Sequence, residues 1–251
     1  MSRLPLVPDT FQPRCLAVMP ARNEQATVAA VVRGVRSVLD CDVLVINDAS
    51  TDATASQAAG AGAIVLTLPF QLGAWGAAQA GMRYALRNRV ETVITLDADG
   101  QHHPEQLPLL LAAHHAAVAD VTIGACPERL SAAKHIAWAY FRLITGLKVT
   151  DFTSGLRVYG RRAIRALASR EASLIDYQDI GVLILLRKKG LTIHESPTRM
   201  SPRSSGGSRI FSSWFTVLRY MIATTVLSIA RVGGKTLPSS AATLATRTPS
   251  A

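Results

Sequence analysis

The sequence predicts a single α/β domain, a doubly wound and mostly parallel mixed sheet with helices on both faces. Three observations predict it. Short apolar runs alternate with stretches of helical period along the first hundred residues. The runs are apolar nearly throughout, as strands covered on both faces must be. The 251 residues, 49% hydrophobic and 18% charged, are enough to enclose one sizeable core.

Taken in order, residues 1–14 hold three prolines and read as a flexible arm. Cys15 to Met19 is a first buried strand stopping at Pro20. Thr27 to Leu39 spaces Val28, Val31, Val32, Val35 and Leu39 as a helix does. Asp42 to Ile46 is a second strand, Thr51 to Ala59 an alanine-rich helix, and Ala63 to Leu66 a third strand. A helix over Ala74 to Asn88 leads to a fourth strand, Glu91 to Leu96. Pro104 opens a helix carrying Leu107, Leu110 and Leu111, and Val121 to Gly124 is another strand. A helix over Ala132 to Leu147, strand and loop over Phe152 to Tyr159, a helix over Gln178 to Lys189 and a strand at Leu191 to Ile193 complete the domain, which spans 15–210.

Phe211 to Arg231 is the one long apolar segment, with Arg219 near its middle. A charge at the bilayer centre costs about 2.5–3.5 kcal/mol, which argues against a spanning helix. Two readings of 211–232 stand. It is an amphipathic helix packed on the domain, or one lying in the membrane interface through Trp214, Tyr220 and its arginines. Residues 233–251, rich in Ser, Thr, Ala and Pro, read as a disordered tail.

A net charge of +10 points to an anionic partner, either a membrane surface or phosphorylated substrates. Nucleic acid is not expected, because aromatics are 6% and no nucleic-acid motif is present. Three cysteines without a CxxC pair suit a reducing cytoplasm, and the N-terminus has no apolar signal core. The expected location is therefore cytoplasmic, with peripheral contact on the inner face of the membrane under the interfacial reading.

In parallel α/β sheets, ligands bind outside the carboxyl ends of the strands. Here those ends carry Pro20-Ala21-Arg22-Asn23-Glu24, then Asn47-Asp48 through Asp52, then Asp97-Ala98-Asp99. An acidic crevice on a basic protein is unusual. A dinucleotide site is disfavoured, because the glycine-rich turn it needs after the first strand is replaced by PARNE. Asp97 and Asp99 flank one residue, so an extended chain would point both the same way. Two hard oxygen ligands plus substrate phosphates are a common way to hold Mg²⁺ or Mn²⁺, with Gln101 as a third oxygen. The plain alternative is a strand-end turn. His102 and His103 are adjacent, so their side chains point apart in a regular element. Neither is assigned a ligand role, and a surface pair at a helix start is expected.

PARNE, VLVINDASTD and LDADGQHHPE, in this order and at these separations, resemble family 2 glycosyltransferases of the inverting, GT-A-fold kind. The likeness is strongest to the dolichyl- and polyprenyl-phosphate sugar synthase branch. That branch also shows segments like Asp151 to Arg157, Glu195-Ser196-Pro197, and Arg203 to Arg209. The resemblance implies a nucleoside-diphosphate sugar donor, a divalent cation (Mg²⁺ or Mn²⁺), and a polyprenyl phosphate or a hydroxyl-bearing glycan as acceptor. It implies that Glu24 holds ribose hydroxyls, with Pro20, Ala21 and Arg22 lining the nucleotide. Ile46 and Asp48 would contact the base. Asp97, Ala98 and Asp99 would form the DXD-like motif, with Asp99 and Gln101 facing the metal and Asp97 near ribose or metal. Arg157 and Arg203 would meet phosphates. Asp179 is the first candidate for a base activating a hydroxyl acceptor, and Asp151 the second. A phosphate acceptor is already ionised, its second pKa being about 6, and needs no base. Cys126 stands where the branch usually carries arginine, with Arg129 or Lys134 available to supply the charge. Processive polysaccharide synthesis is disfavoured, because the QxxRW signature is absent.

Overall fold

The computed structural model describes residues 14–201, except 127, 129–131 and 176–179. The expectations for residues 1–13, Arg129, Asp179, Arg203, the helix at 211–232 and the tail at 233–251 lie outside the described residues, as does the side chain of Lys134.

Seven strands form one sheet. They are β1 (Cys15–Ala21), β2 (Asp42–Asn47), β3 (Ile64–Thr67), β4 (Thr92–Thr95), β5 (Val121–Ala125), β6 (Arg157–Gly160) and β7 (Ile193–Pro197). Their order is β3-β2-β1-β4-β6-β5-β7. β6 runs antiparallel to both its neighbours, and every other pair is parallel. The sheet is thus the mostly parallel, mixed one expected.

The strands are apolar because both faces are covered. Along β1 the side chains alternate between two cores. Leu16 and Val18 face one, with Leu44, Ile46, Val93 and Ile123; Ala17 and Met19 face the other, with Val43, Val45, Ile94 and Val158. The second face is covered by α1 (Val28–Val38), α2 (Thr54–Gly60) and α4 (Gln106–Ala116). The first is covered by α3 (Gly73–Arg87), α5 (Ala132–Thr145), α6 (Arg161–Leu167) and α7 (Ile180–Lys188). On α1 the buried residues are Val28, Val31, Val32 and Val35. That is the i, i+3, i+4, i+7 stripe, each side chain contributing about 1.5–3 kcal/mol of burial. α3 lies close on β1, since a Cβ on Gly81 would stand 2.3 Å from Val18 Cγ1.

Several boundaries differ from expectation. α6 is not among the expected elements; Gly160 starts it in extended conformation. α2 begins at Thr54 rather than Thr51, because the Asp52 carboxylate accepts the Thr54 amide and holds residues 50–53 in a turn. α4 begins at Gln106, two residues after Pro104. The strand expected at Leu191–Ile193 runs over Ile193–Pro197 instead, paired along β5. The strand expected within Phe152 to Tyr159 is confined to β6, because residues 151–156 form a loop.

β1 stands between β2 and β4. The chain leaves β1 toward β2 and β3 on one side and returns to β4 on the other. The switch-point rule puts the ligand crevice at the carboxyl ends of β1, β2 and β4.

Candidate functional site

Two loops close one side of this crevice, and they are laced together. The Asn23 amide donates to Ser50 Oγ at 3.0 Å, and Asn23 Oδ1 accepts the Thr51 amide at 2.9 Å. Glu24 donates its amide to Thr54 Oγ1 at 2.8 Å, and Gln25 exchanges bonds with Asp52 and Ala53. Asn23 sits at φ 55°, a left-handed conformation that asparagine tolerates better than most residues. Burial acts to raise the Asp52 carboxyl. Hydrogen bonds from the Thr54 hydroxyl and amide and from the Gln25 amide outweigh it and hold the group below its usual range. Pro20 and Glu24 are half-buried, Ala21 is buried, and Arg22 is exposed beside them.

Asp48 is buried, and its carboxylate accepts the amides of Leu72 at 2.6 Å and Gly73 at 2.9 Å. It caps α3 from 24 residues away, satisfying amides that a helix start leaves unpaired. Ile46 is fully buried in the core under α3. The carboxylate of Asp48 is thus engaged by the fold, and the side chain of Ile46 is packed in the core.

After β4, residues 96–100 leave the strand and turn. The extended geometry expected for Asp97-Ala98-Asp99 does not occur. Gly100 takes φ 78°, a conformation glycine adopts freely. Asp97 turns outward with its side chain 53% exposed. Ala98 is buried, and Asp99 is half-buried and accepts the Gln101 amide at 3.1 Å. The segment then pairs with the chain leaving β7. Ser201 donates its amide to Gln101 O at 2.9 Å, the Gln101 side-chain amide donates to Ser201 O at 3.3 Å, and His102 bridges to Met200.

The expected surface pair of histidines is also corrected. His102 is buried, and its Nε2 lies 3.4 Å from Asp97 Oδ2. His103 remains half-exposed against Ser201 and Glu105. Adjacency was the available signal, since two neighbouring side chains that point apart leave one of them facing inward.

A further loop, Asp151 to Leu156, forms a wall behind Asp97. A Cβ on Gly155 would stand 2.8 Å from Asp97 Oδ2 and 2.9 Å from Oδ1. Ser154 Oγ donates to Gly124 O at 2.5 Å, and Thr95 Oγ1 donates to Gly155 O at 2.8 Å. Glu195 on β7 accepts the amides of Thr150 and Asp151. Asp151 is buried and accepts from the Cys126 amide, the Thr153 amide and Thr153 Oγ1. Arg157 is fully buried and donates to Ser154 O at 2.9 Å and Phe152 O at 2.8 Å. Asp151 thus ties the loop to the end of β5, and the guanidinium of Arg157 donates to the loop's own carbonyls. Sequence reasoning missed Gly155, Glu195 and His102 as parts of this wall.

Among the described residues, no three His, Cys, Asp or Glu side chains gather closely enough to hold a metal ion. The donor set nevertheless fits a hard cation shared with substrate. Mg²⁺ and Mn²⁺ are commonly bound by one or two carboxylates, with phosphate oxygens and water completing the shell. Asp97 presents an exposed carboxylate, and the missing Cβ of Gly155 leaves it room.

Comparison with known proteins adds four likenesses. The family model described as "Glycosyl transferase family 2" matches residues 16–173. The undecaprenyl-phosphate mannosyltransferase of Micrococcus luteus is 33% identical over 217 residues, covering 78% of this chain and 87% of that protein. The polyprenol monophosphomannose synthase of Mycolicibacterium smegmatis is 28% identical over 232 residues, covering 82% and 85%. Among solved structures, glucosyl-3-phosphoglycerate synthase of Mycobacterium tuberculosis superposes with a TM-score of 0.63 at 19% identity, covering 87% of this chain and 79% of that one. That enzyme was crystallised with Mn²⁺, uridine diphosphate and glucosyl-3-phosphoglycerate. The fold it shares with this chain is the GT-A arrangement.

Proposed function

The chain belongs to glycosyl transferase family 2 and is a glycosyltransferase; from that premise we propose that it moves a sugar, with inversion, from a nucleoside-diphosphate sugar to a polyprenyl phosphate. One observation carries the reading. The exposed Asp97 carboxylate and Asp99 lie at the switch point of the sheet, beside the laced loops after β1 and β2. The two polyprenyl-phosphate relatives support the choice of acceptor.

In this reading Glu24, with Pro20, Ala21 and Arg22, lines the nucleotide, and Asp97, Asp99 and Gln101 hold the divalent cation. When bound, that cation neutralises charge developing on the departing diphosphate. An oxygen of the acceptor phosphate forms a bond to the anomeric carbon as the bond to the donor diphosphate breaks, and no proton moves. A phosphate acceptor therefore asks for no base, which suits an Asp151 already engaged by three donors. Asp179 would serve as base only toward a hydroxyl. The charge of +10 and the apolar segment at 211–232 favour peripheral contact with an anionic membrane.

The test uses the full chain, a panel of nucleoside-diphosphate sugars, Mn²⁺ or Mg²⁺, and undecaprenyl phosphate in detergent. Sugar is expected on the lipid phosphate, and chelation of the cation should abolish it. Transfer to glycan hydroxyls alone would overturn the acceptor. Full activity in chelator would overturn the cation.

A further inference from the structure

His102 is the one imidazole of two adjacent ones that the fold buries. Its side chain is 1% exposed, and its Nε2 stands 3.4 Å from Asp97 Oδ2. Nδ1, the other ring nitrogen, is buried with no hydrogen-bond partner among the described residues. Such an orphan is destabilising, and an apolar ring of the same shape would avoid it. The orphan also fixes the tautomer. A proton on Nδ1 would strand an N–H in the interior and turn a bare Nε2 lone pair toward a carboxylate. With the proton on Nε2, the ring donates toward Asp97 and leaves only a lone pair unsatisfied.

The ring is held through its backbone. His102 pairs with Met200, and the Ser201 amide donates to Gln101 O. Two residues on, Pro104 packs against α1, where a Cβ on Gly34 would stand 2.7 Å from Pro104 Cγ. Asp97 is thus confined from two directions. A donor meets Oδ2, and the backbone of Gly155 lies against both oxygens. A hydrogen-bond donor behind a ligating carboxylate fixes which way its oxygens face.

We propose that His102 is a positioning residue, whose imidazole holds Asp97 in the orientation from which it binds the divalent cation together with the donor diphosphate. The proposal rests on the reading of Asp97 as a cation ligand given above. It also explains why a destabilising buried nitrogen is present, because stability is lost for the sake of the site.

The experiment compares the full-length wild type with His102→Phe and His102→Gln. Calorimetry measures binding of uridine and guanosine diphosphates in Mn²⁺ and in EDTA, and thermal melts follow the fold. The wild type should bind one diphosphate more tightly with Mn²⁺. His102→Phe should lose at least tenfold of that Mn²⁺-dependent affinity, with unchanged binding in EDTA and an unchanged or raised Tm. Glutamine, whose side-chain amide reaches the place of Nε2, should restore most of the loss. A His102→Phe protein with wild-type Mn²⁺-dependent affinity would overturn the positioning role alone. So would a loss of affinity that follows a fall in Tm. If the wild type itself binds neither diphosphate better with Mn²⁺ than in EDTA, the cation reading of Asp97 fails, and the proposal with it.

Discussion

The Cβ that Gly155 lacks would stand 2.8 Å from Oδ2 of Asp97 and 2.9 Å from Oδ1, closer than unbonded atoms of this kind approach. The obstacle is the far end of a side chain that is half exposed. Gly155→Ala should therefore be relieved by rotating Asp97, not by moving the backbone. Its effect falls on function and leaves stability nearly alone. Displacing one ligand by about 1 Å can cost on the order of 10²-fold in rate. We expect Gly155→Ala to lower kcat/KM by about 10- to 100-fold while the Tm stays within a few degrees of wild type. Initial rates at several Mn²⁺ concentrations, with parallel melts, check this; a large loss of Tm with retained activity would refute it.

Arg157 separates two roles that look alike in a sequence. Replacing an arginine that meets a substrate phosphate lowers turnover and spares the fold. Arg157 is instead buried under its own loop, donating to Ser154 O and Phe152 O. Arg157→Met would strand those carbonyls, at about 1–3 kcal/mol each. We expect urea denaturation to show a loss of about 2–6 kcal/mol, with activity falling in step with the folded fraction. A stable variant with reduced donor affinity would restore the phosphate reading.

Asp48 makes the corresponding case at α3. Its two oxygens accept the amides of Leu72 and Gly73, so Asp48→Ala removes a cap supplied from outside the helix. Helix caps contribute about 0.5–2 kcal/mol. Asp48→Ala should lower stability by that amount in denaturant titrations. Asp48→Asn, which keeps one acceptor, should lose less. Equal stability in all three would remove the capping role.

What the sequence made legible follows from range. β1 and β2 announced themselves because both faces of each are buried, so the apolar run is continuous. Asp48, Asp97, Asp99 and Asp151 were legible as acids near strand ends. Whether each faces a ligand or the chain's own amides depends on distant partners. For Asp48 those are Leu72 and Gly73, and for Asp151 one is Cys126, 25 residues away. The turn after Asp97 uses Gly100 at φ 78°, a left-handed position glycine adopts freely. α6 is hidden because seven residues give a helical period scarcely two turns to show itself.

His114 gives a pH dependence of known sign. It lies buried on α4, its Nδ1 3.0 Å from Thr122 Oγ1. Burial, and then the neighbouring charge of His115, lower its pKa from 6.5 to about 4, with Asp120 opposing. Between those values the unfolded chain binds a proton that the native one refuses. The stability linked to this group is fully present above pH 6.5 and is lost as pH falls toward 4. Between pH 7.5 and pH 5 the linkage amounts to about 2 kcal/mol. Other groups titrate in the same window, so the comparison must be with a variant that cannot. His114→Asn retains a polar atom for Thr122 and has no proton to gain. Urea denaturation at the two pH values should show the wild type losing about 2 kcal/mol more than His114→Asn. Equal losses would mean that His114 is protonated as readily in the native protein as in the unfolded chain, which its burial beside Thr122 argues against.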